Sequence, residues 1–115
     1  MLQLESRSSG VKRFHIAIGV TDIDRSVQDY SQRLGCEPSV IIPNEYALWR
    51  TSCINLSIRR VDGESGGLRH LGWEDASASS FSKTTDVNGI VWEKFAPEQQ
   101  AEEILETWPQ ARYQP

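Results

Sequence analysis

The chain has 115 residues, room for one domain with an ordinary core and not for two. With 38% apolar and 24% charged residues and no run near the roughly 20 apolar residues of a membrane span, it reads as a globular chain rather than a fibrous, disordered or membrane-spanning one. A formal net charge of -4 repels phosphate backbones, so no nucleic-acid partner is expected.

Residues 1–11 read as a polar flexible tail without the apolar stretch of a signal peptide, which makes a cytoplasmic location the expectation. Val11 to Val20 is β-branched and aromatic and predicts a strand. Phe14, Ile16, Ile18 and Val20 fall on one of its faces, and His15, Ala17 and Gly19 on the other. A helix is predicted over Asp24–Leu34, with Asp22 or Asp24 as its cap, Val27, Tyr30 and Leu34 as its stripe and Gly35 as its stop. Three strands follow, over Ser39–Ile42, Tyr46–Arg50 and Cys53–Arg59. In the last of them Ile54, Leu56 and Ile58 alternate with Asn55, Ser57 and Arg59. This strand should share a sheet with the first, with the helix covering Ile16, Ile18, Leu56 and Ile58. Cys36 and Cys53 form no CxxC pair and no zinc ligand set, so they read as reduced thiols.

The loop DGESGG at Asp62–Gly67 is the best internal boundary. Beyond it, Leu68–Trp73 predicts a strand with Leu68, His70 and Gly72 on one face and Arg69, Leu71 and Trp73 on the other. A short strand over Phe81–Thr85, a turn at Asp86-Val87-Asn88-Gly89 and a strand over Gly89–Phe95 come next, the last with Val91, Glu93 and Phe95 on one face. Pro97 opens a final helix to about Trp108. Its stripe is Ala101, Ile104, Leu105 and Trp108, and Glu98, Glu102, Glu103 and Glu106 face water. Trp49, Trp73, Trp92 and Trp108 read as core residues ahead of ligand contacts, and Arg50, Arg59 and Arg60 as solvated strand ends ahead of partners for an acidic ligand.

The opening strands FHIAIGV and LRHLGWE each carry an early histidine, His15 and His70, 55 residues apart, which hints at an internal duplication. HIAIGVTDIDRSVQDYSQRLG resembles the opening of vicinal oxygen chelate proteins, the glyoxalase/bleomycin resistance/extradiol dioxygenase superfamily. Asp22, Ser26, Tyr30, Leu34 and Gly35 stand at that family's motif positions. DVNGIVWE resembles the family's late hairpin, with Asp86, Gly89 and Glu93 in register. The resemblance implies an α+β fold of paired βαβββ-type modules around a metal or ligand cavity. Within one domain over residues 12–115, module one would span about 12–61, a shortened module two about 68–96, and a C-terminal helix about 97–108.

The resemblance also places metal ligands at His15, His70 and Glu93, with Asn55 and Ser57 as ligand-binding positions. Two imidazoles and a carboxylate suit Fe, Mn, Ni or Zn as a divalent ion and leave coordination positions open for a substrate. Parity agrees, since each histidine shares its face with small residues: Ala17 and Gly19 in one strand, Gly72 in the other. Two departures stand out. Asn55 is uncharged where glyoxalase-type members carry an acid. And 40 residues separate His15 from Asn55, whereas only 23 separate His70 from Glu93, so the second module lacks about a helix and a strand between Asp75 and Phe81. The final helix should stand in for the missing one, over Leu71, Trp73, Ile90 and Trp92. The implied function is a metal-dependent lyase or dioxygenase acting on a small molecule with vicinal oxygens. The alternatives are metal-free sequestration of a small molecule and a degenerate member acting through protein interaction. A homodimer is expected, because the shortened module leaves apolar strand surface uncovered.

Overall fold

The computed structural model describes residues 11–115. Of the tail expected over residues 1–11, only Val11 falls among them, and it is exposed; the rest lies outside the described residues. The elements run β1 (Lys12–Val20), α1 (Ile23–Leu34), β2 (Val40–Ile42), β3 (Tyr46–Arg50), β4 (Ile54–Arg60), β5 (Gly67–Asp75), β6 (Ser82–Thr85), β7 (Val91–Phe95) and α2 (Pro97–Thr107). The fold is α+β, with one seven-stranded mixed sheet in the order β2-β3-β4-β1-β5-β7-β6.

Local chemistry sets the boundaries. Asp22 caps α1, its carboxylate accepting from the backbone N–H of Arg25 at 3.0 Å. Gly35 ends that helix in the left-handed region, at φ 74°, and returns its N–H to the Ser31 carbonyl. Asp86 accepts from the backbone N–H groups of Asn88 and Ile90, and this closes the turn between β6 and β7.

The two halves of the sheet share a plan. In each, the last strand lies parallel to the first, β4 on β1 and β7 on β5, with the preceding strand antiparallel on its far side. The halves meet through antiparallel β1 and β5, where His15 opposes Gly72 and Ala17 opposes His70. Counterparts of α1 and β2 are missing from the second half; residues 76–81 cross from β5 to β6 without a helix or strand. The register corrects one correspondence. Ala17 pairs Ser57 as Gly72 pairs Glu93, so the counterpart of Glu93 across the repeat is Ser57 and not Asn55.

One core lies under α1. Val20, Ile23, Ala47, Trp49, Leu56 and Ile58 are buried there with Ile16, Ile18, Val27, Tyr30 and Leu34 against them, as the alternating pattern predicts. The Trp49 indole N–H, inside that core, donates to the Ser31 hydroxyl at 3.2 Å. A second core lies on the opposite face and corrects the expectation for the final helix. α2 does not cover Leu71, Trp73, Ile90 and Trp92. Its Ala101 and Ile104 pack on Ile42, Tyr46 and Leu48 of the first half, together with Tyr113. The reason is alternation: β2 and β3 turn an apolar row to the His15 face, and that row is what the stripe of α2 meets.

Trp73 and Leu105 depart from expectation in the same way. Trp49 is fully buried, but Trp73 is 41% exposed and Leu105 37%. Phe14, Trp73 and Trp92 form an aromatic group on the second half's uncovered face, with ring centroids 5.3 and 6.1 Å from Phe14. Among the described residues, no helix is long and apolar enough to cross a membrane.

This placement predicts that Ile104→Ala costs about 2–5 kcal/mol of stability, whereas Leu105→Ala stays within about 0.5 kcal/mol, as exposed substitutions do. Truncation after Ala96 should destabilise the first half by baring Ile42, Tyr46 and Leu48. Urea unfolding followed by circular dichroism checks all three.

Candidate metal centre

His15 on β1, His70 on β5 and Glu93 on β7 point to the sheet face opposite α1. The sheet brings them together: one donor atom from each lies within 4.8 Å of the other two. His15 Nε2 sits 3.0 Å from His70 Nε2, which is 3.1 Å from Glu93 Oε1. Two donor atoms sharing an ion at about 2.0–2.2 Å stand roughly 3–3.5 Å apart, a spacing that the His15–His70 and His70–Glu93 pairs match.

The orientation of His15 is set from behind. Asn55 is fully buried, and its Nδ2 donates to Glu74 Oε1 and Gln100 Oε1, each at 2.8 Å. An ionised carboxylate only accepts, so the Glu74 contact decides which end of the amide carries hydrogen and turns Oδ1 toward His15. That Oδ1 lies 2.9 Å from His15 Nδ1, and the Asn55 carbonyl lies 3.1 Å from the same nitrogen. Two acceptors at one ring nitrogen put the proton on Nδ1. Burial lowers the His15 pKa and outweighs the raising effect of the Asn55 hydrogen bond, so the ring is neutral near pH 7. Its Nε2 therefore directs a lone pair at His70 and Glu93. Burial alone would raise the Glu93 pKa, but the hydrogen bond and charge of His70 outweigh it and keep the carboxylate ionised.

Glu74 anchors this arrangement with no exposed side-chain surface. It accepts two bonds from Arg50, at 2.8 and 2.9 Å, and one from Arg13 at 2.7 Å. Burial would raise its pKa; the bonds from Arg50 and Asn55 more than reverse that, and the net direction is down.

The cluster opens into a cavity of about 280 Å³. Ser57, Tyr46, Phe81 and Phe95 are among its lining residues, with Arg59, Arg69, Glu103 and Trp108 also facing it. Ser57 is therefore on the cavity. Asn55 is not among the lining residues; it lies behind His15, with both ends of its amide engaged. Arg50 and Arg59 are not solvated strand ends, since Arg50 is held by Glu74 and the Arg59 guanidinium rests 5.1 Å from the Trp108 ring centre. Glu103 faces the cavity as well as water, and burial raises its pKa, with the charge of Glu93 adding to the effect. Gly72 is small for a reason beyond cavity space: a Cβ there would collide with the backbone carbonyl of Glu93 on the neighbouring strand.

Among known proteins, no family model and no curated sequence matches the chain.

Sequence reasoning missed Glu74, Gln100, Arg13 and Arg69. The available signal was parity: Glu74 lies on the His70 face of its strand, and Arg13 on the His15 face of its own. An acid amid apolar strand residues on a face already suspected of holding a site was the clue to a buried pair.

Glu74→Gln should cost about 3–5 kcal/mol at neutral pH, because it strands two guanidinium groups. The folded-state pKa of Glu74 lies below its unfolded value. Its contribution is therefore complete above the ordinary glutamate range, near pH 4.3, and is lost as pH falls through the lower folded-state value. The stability gap between wild type and Glu74→Gln should narrow in acid, as read from urea midpoints between about pH 7 and pH 3.

Proposed function

We propose that the chain is a shortened vicinal oxygen chelate protein of the glyoxalase/bleomycin resistance/dioxygenase kind. In this reading His15, His70 and Glu93 hold a divalent ion, and the adjoining cavity takes a small molecule with neighbouring oxygens. The observation that carries the reading is the convergence of three donor atoms within 4.8 Å, one of them the Nε2 of a histidine whose other nitrogen is committed to Asn55. The shared plan of the two half-sheets supports it, as do the motif positions over Asp22–Gly35 and Asp86–Glu93.

The nitrogen and oxygen donors suit Fe, Mn, Ni or Zn. Such an ion would supply Lewis-acid activation of two oxygens on the bound molecule. The chain's own residues do the rest. Asn55 and Glu74 hold His15 in the tautomer that presents Nε2. Phe81 and Phe95 exclude water from one wall. Ser57 offers a hydroxyl on the adjoining strand, and Glu103, with its raised pKa, can hold or take up a proton at the bound molecule. The reaction is that of a lyase or dioxygenase. The second reading, a metal-free binding module, is favoured by one contact: His70 and Glu93 at 3.1 Å satisfy each other without an ion.

Protein dialysed against Zn(II), Mn(II) or Ni(II) and freed of excess should retain one ion per chain by elemental analysis. His15→Ala, His70→Ala and Glu93→Gln should each bring retention to background. Asn55→Leu should weaken affinity about 10–100-fold, as loss of an orienting partner does. No retained metal in the wild type would leave the sequestration reading in its place.

The homodimer is part of the same proposal, and Phe14, Trp73 and Trp92 supply it with apolar surface. Sedimentation equilibrium should give a dimer for the 13.0 kDa chain, and a monomer for Trp73→Glu.

A further inference from the structure

The arginines of the strands divide into two groups. Arg13, Arg50 and Arg60 pair with carboxylates. Arg59 and Arg69 face the cavity, and among the described residues neither has a carboxylate within salt-bridge distance.

Both are aimed there by the backbone. The register between β1 and β5 breaks after Ala17: Ala17 opposes His70, but Ile18 opposes Leu68, so Arg69 is the extra residue of a bulge. Regular alternation would send Arg69 to the face of Leu71 and Trp73; a bulge re-aims a side chain, and here it leaves Arg69 on the cavity. Arg59 lies four residues beyond Asn55 on β4, in the same facing row as Ser57, and its guanidinium is steadied against Trp108. Glu103 is the carboxylate that could compete for these arginines, and burial and the nearby Glu93 charge both disfavour its ionised form. A chain with net charge -4 thus turns two uncommitted guanidinium groups toward one small cavity.

We propose that this cavity recognises a small oxyanion-bearing molecule, a hydroxy- or keto-acid, whose acid group is held by Arg59 and Arg69 while its neighbouring oxygens face His15, His70 and Glu93. The inference rests on the reading of the site given above and names its substrate class. The planar fork of arginine matches a carboxylate or a phosphate group by paired N–H donation. At about 280 Å³ the cavity lies at the small end of ligand pockets, which suits a small acid.

The test is calorimetric titration with malate, inorganic phosphate and glycerol, each with chelator-treated protein and with protein dialysed against Mn(II), the metal content of every sample being recorded. Malate should bind at least tenfold more tightly than glycerol, which offers neighbouring hydroxyls and no charge. Arg59→Met and Arg69→Met should each lower malate affinity about tenfold, the scale of one charge-assisted hydrogen bond in a partly open site, and leave glycerol unchanged. Arg59→Lys, which keeps the charge but loses the paired donors, should bind malate with an affinity between wild type and Arg59→Met, and serves if Arg59→Met fails to fold. Phosphate that displaces malate with the same arginine dependence supports the proposal with phosphate esters as the source; failure to displace supports it with carboxylates. Equal binding of malate and glycerol, or malate affinity indifferent to both arginines, overturns it. Arginine-dependent malate binding in protein that takes up no metal fails the metal reading alone. Metal uptake with arginine-independent malate binding fails this inference alone.

Discussion

Everything at the candidate centre depends on one buried carboxylate. Glu74 sits on β5 and is held by Arg13 from β1, Arg50 from β3 and Asn55 from β4. Removing such a group from water costs several kcal/mol, and only dense, well-aligned donors offset that. The donors all come from the first half of the sheet and the acceptor from the second, so the group that satisfies Glu74 is also the group that ties the halves together. A slip of one residue in any of the four strands would turn its member to the other face and leave the charge unmet. Electrostatics therefore enforces the register in which His15 meets His70.

The C-terminal helix joins stability to the site. Its apolar stripe completes the second core on Tyr46 and Leu48. From the same turns, Gln100 reaches Asn55 and Glu103 faces the cavity, with Trp108 following just beyond the helix. The cavity thus has a sheet for its floor and a helix for one wall, and the helix cannot be lost without unmaking both. The face bearing Phe14, Trp73 and Trp92 stays uncovered in exchange.

Much of this was legible in the sequence. Strand parity in FHIAIGV placed His15 away from Ile16 and Ile18, capping chemistry bounded α1, and Asp86–Gly89 marked its turn. These are local rules, and local rules suffice for elements and faces. The seat of α2 was not legible, because an amphipathic pattern says that a helix has an apolar side and not which of two apolar surfaces it meets. Asn55 was misjudged for a different reason. An uncharged amide looks like a failed ligand until its neighbours show that its work is to fix a proton on another residue. Arg69 escaped because alternation assigns it to the outer face, and a bulge, which no periodicity announces, reverses that.

The pairing of β1 with β5 has a thermodynamic consequence. The three converging side chains come from three different strands, and the two histidines are separated by 55 residues of chain. An unfolded chain has no such constellation to offer. Whatever occupies the site in the folded protein therefore shifts the unfolding equilibrium by mass action, by about 2.7 kcal/mol at a hundredfold excess over its dissociation constant. For a domain whose whole margin is of order 5–15 kcal/mol, an ion or ligand bound there would make the resistance of this chain to unfolding depend on the free concentration of that occupant as well as on the chain's own contacts.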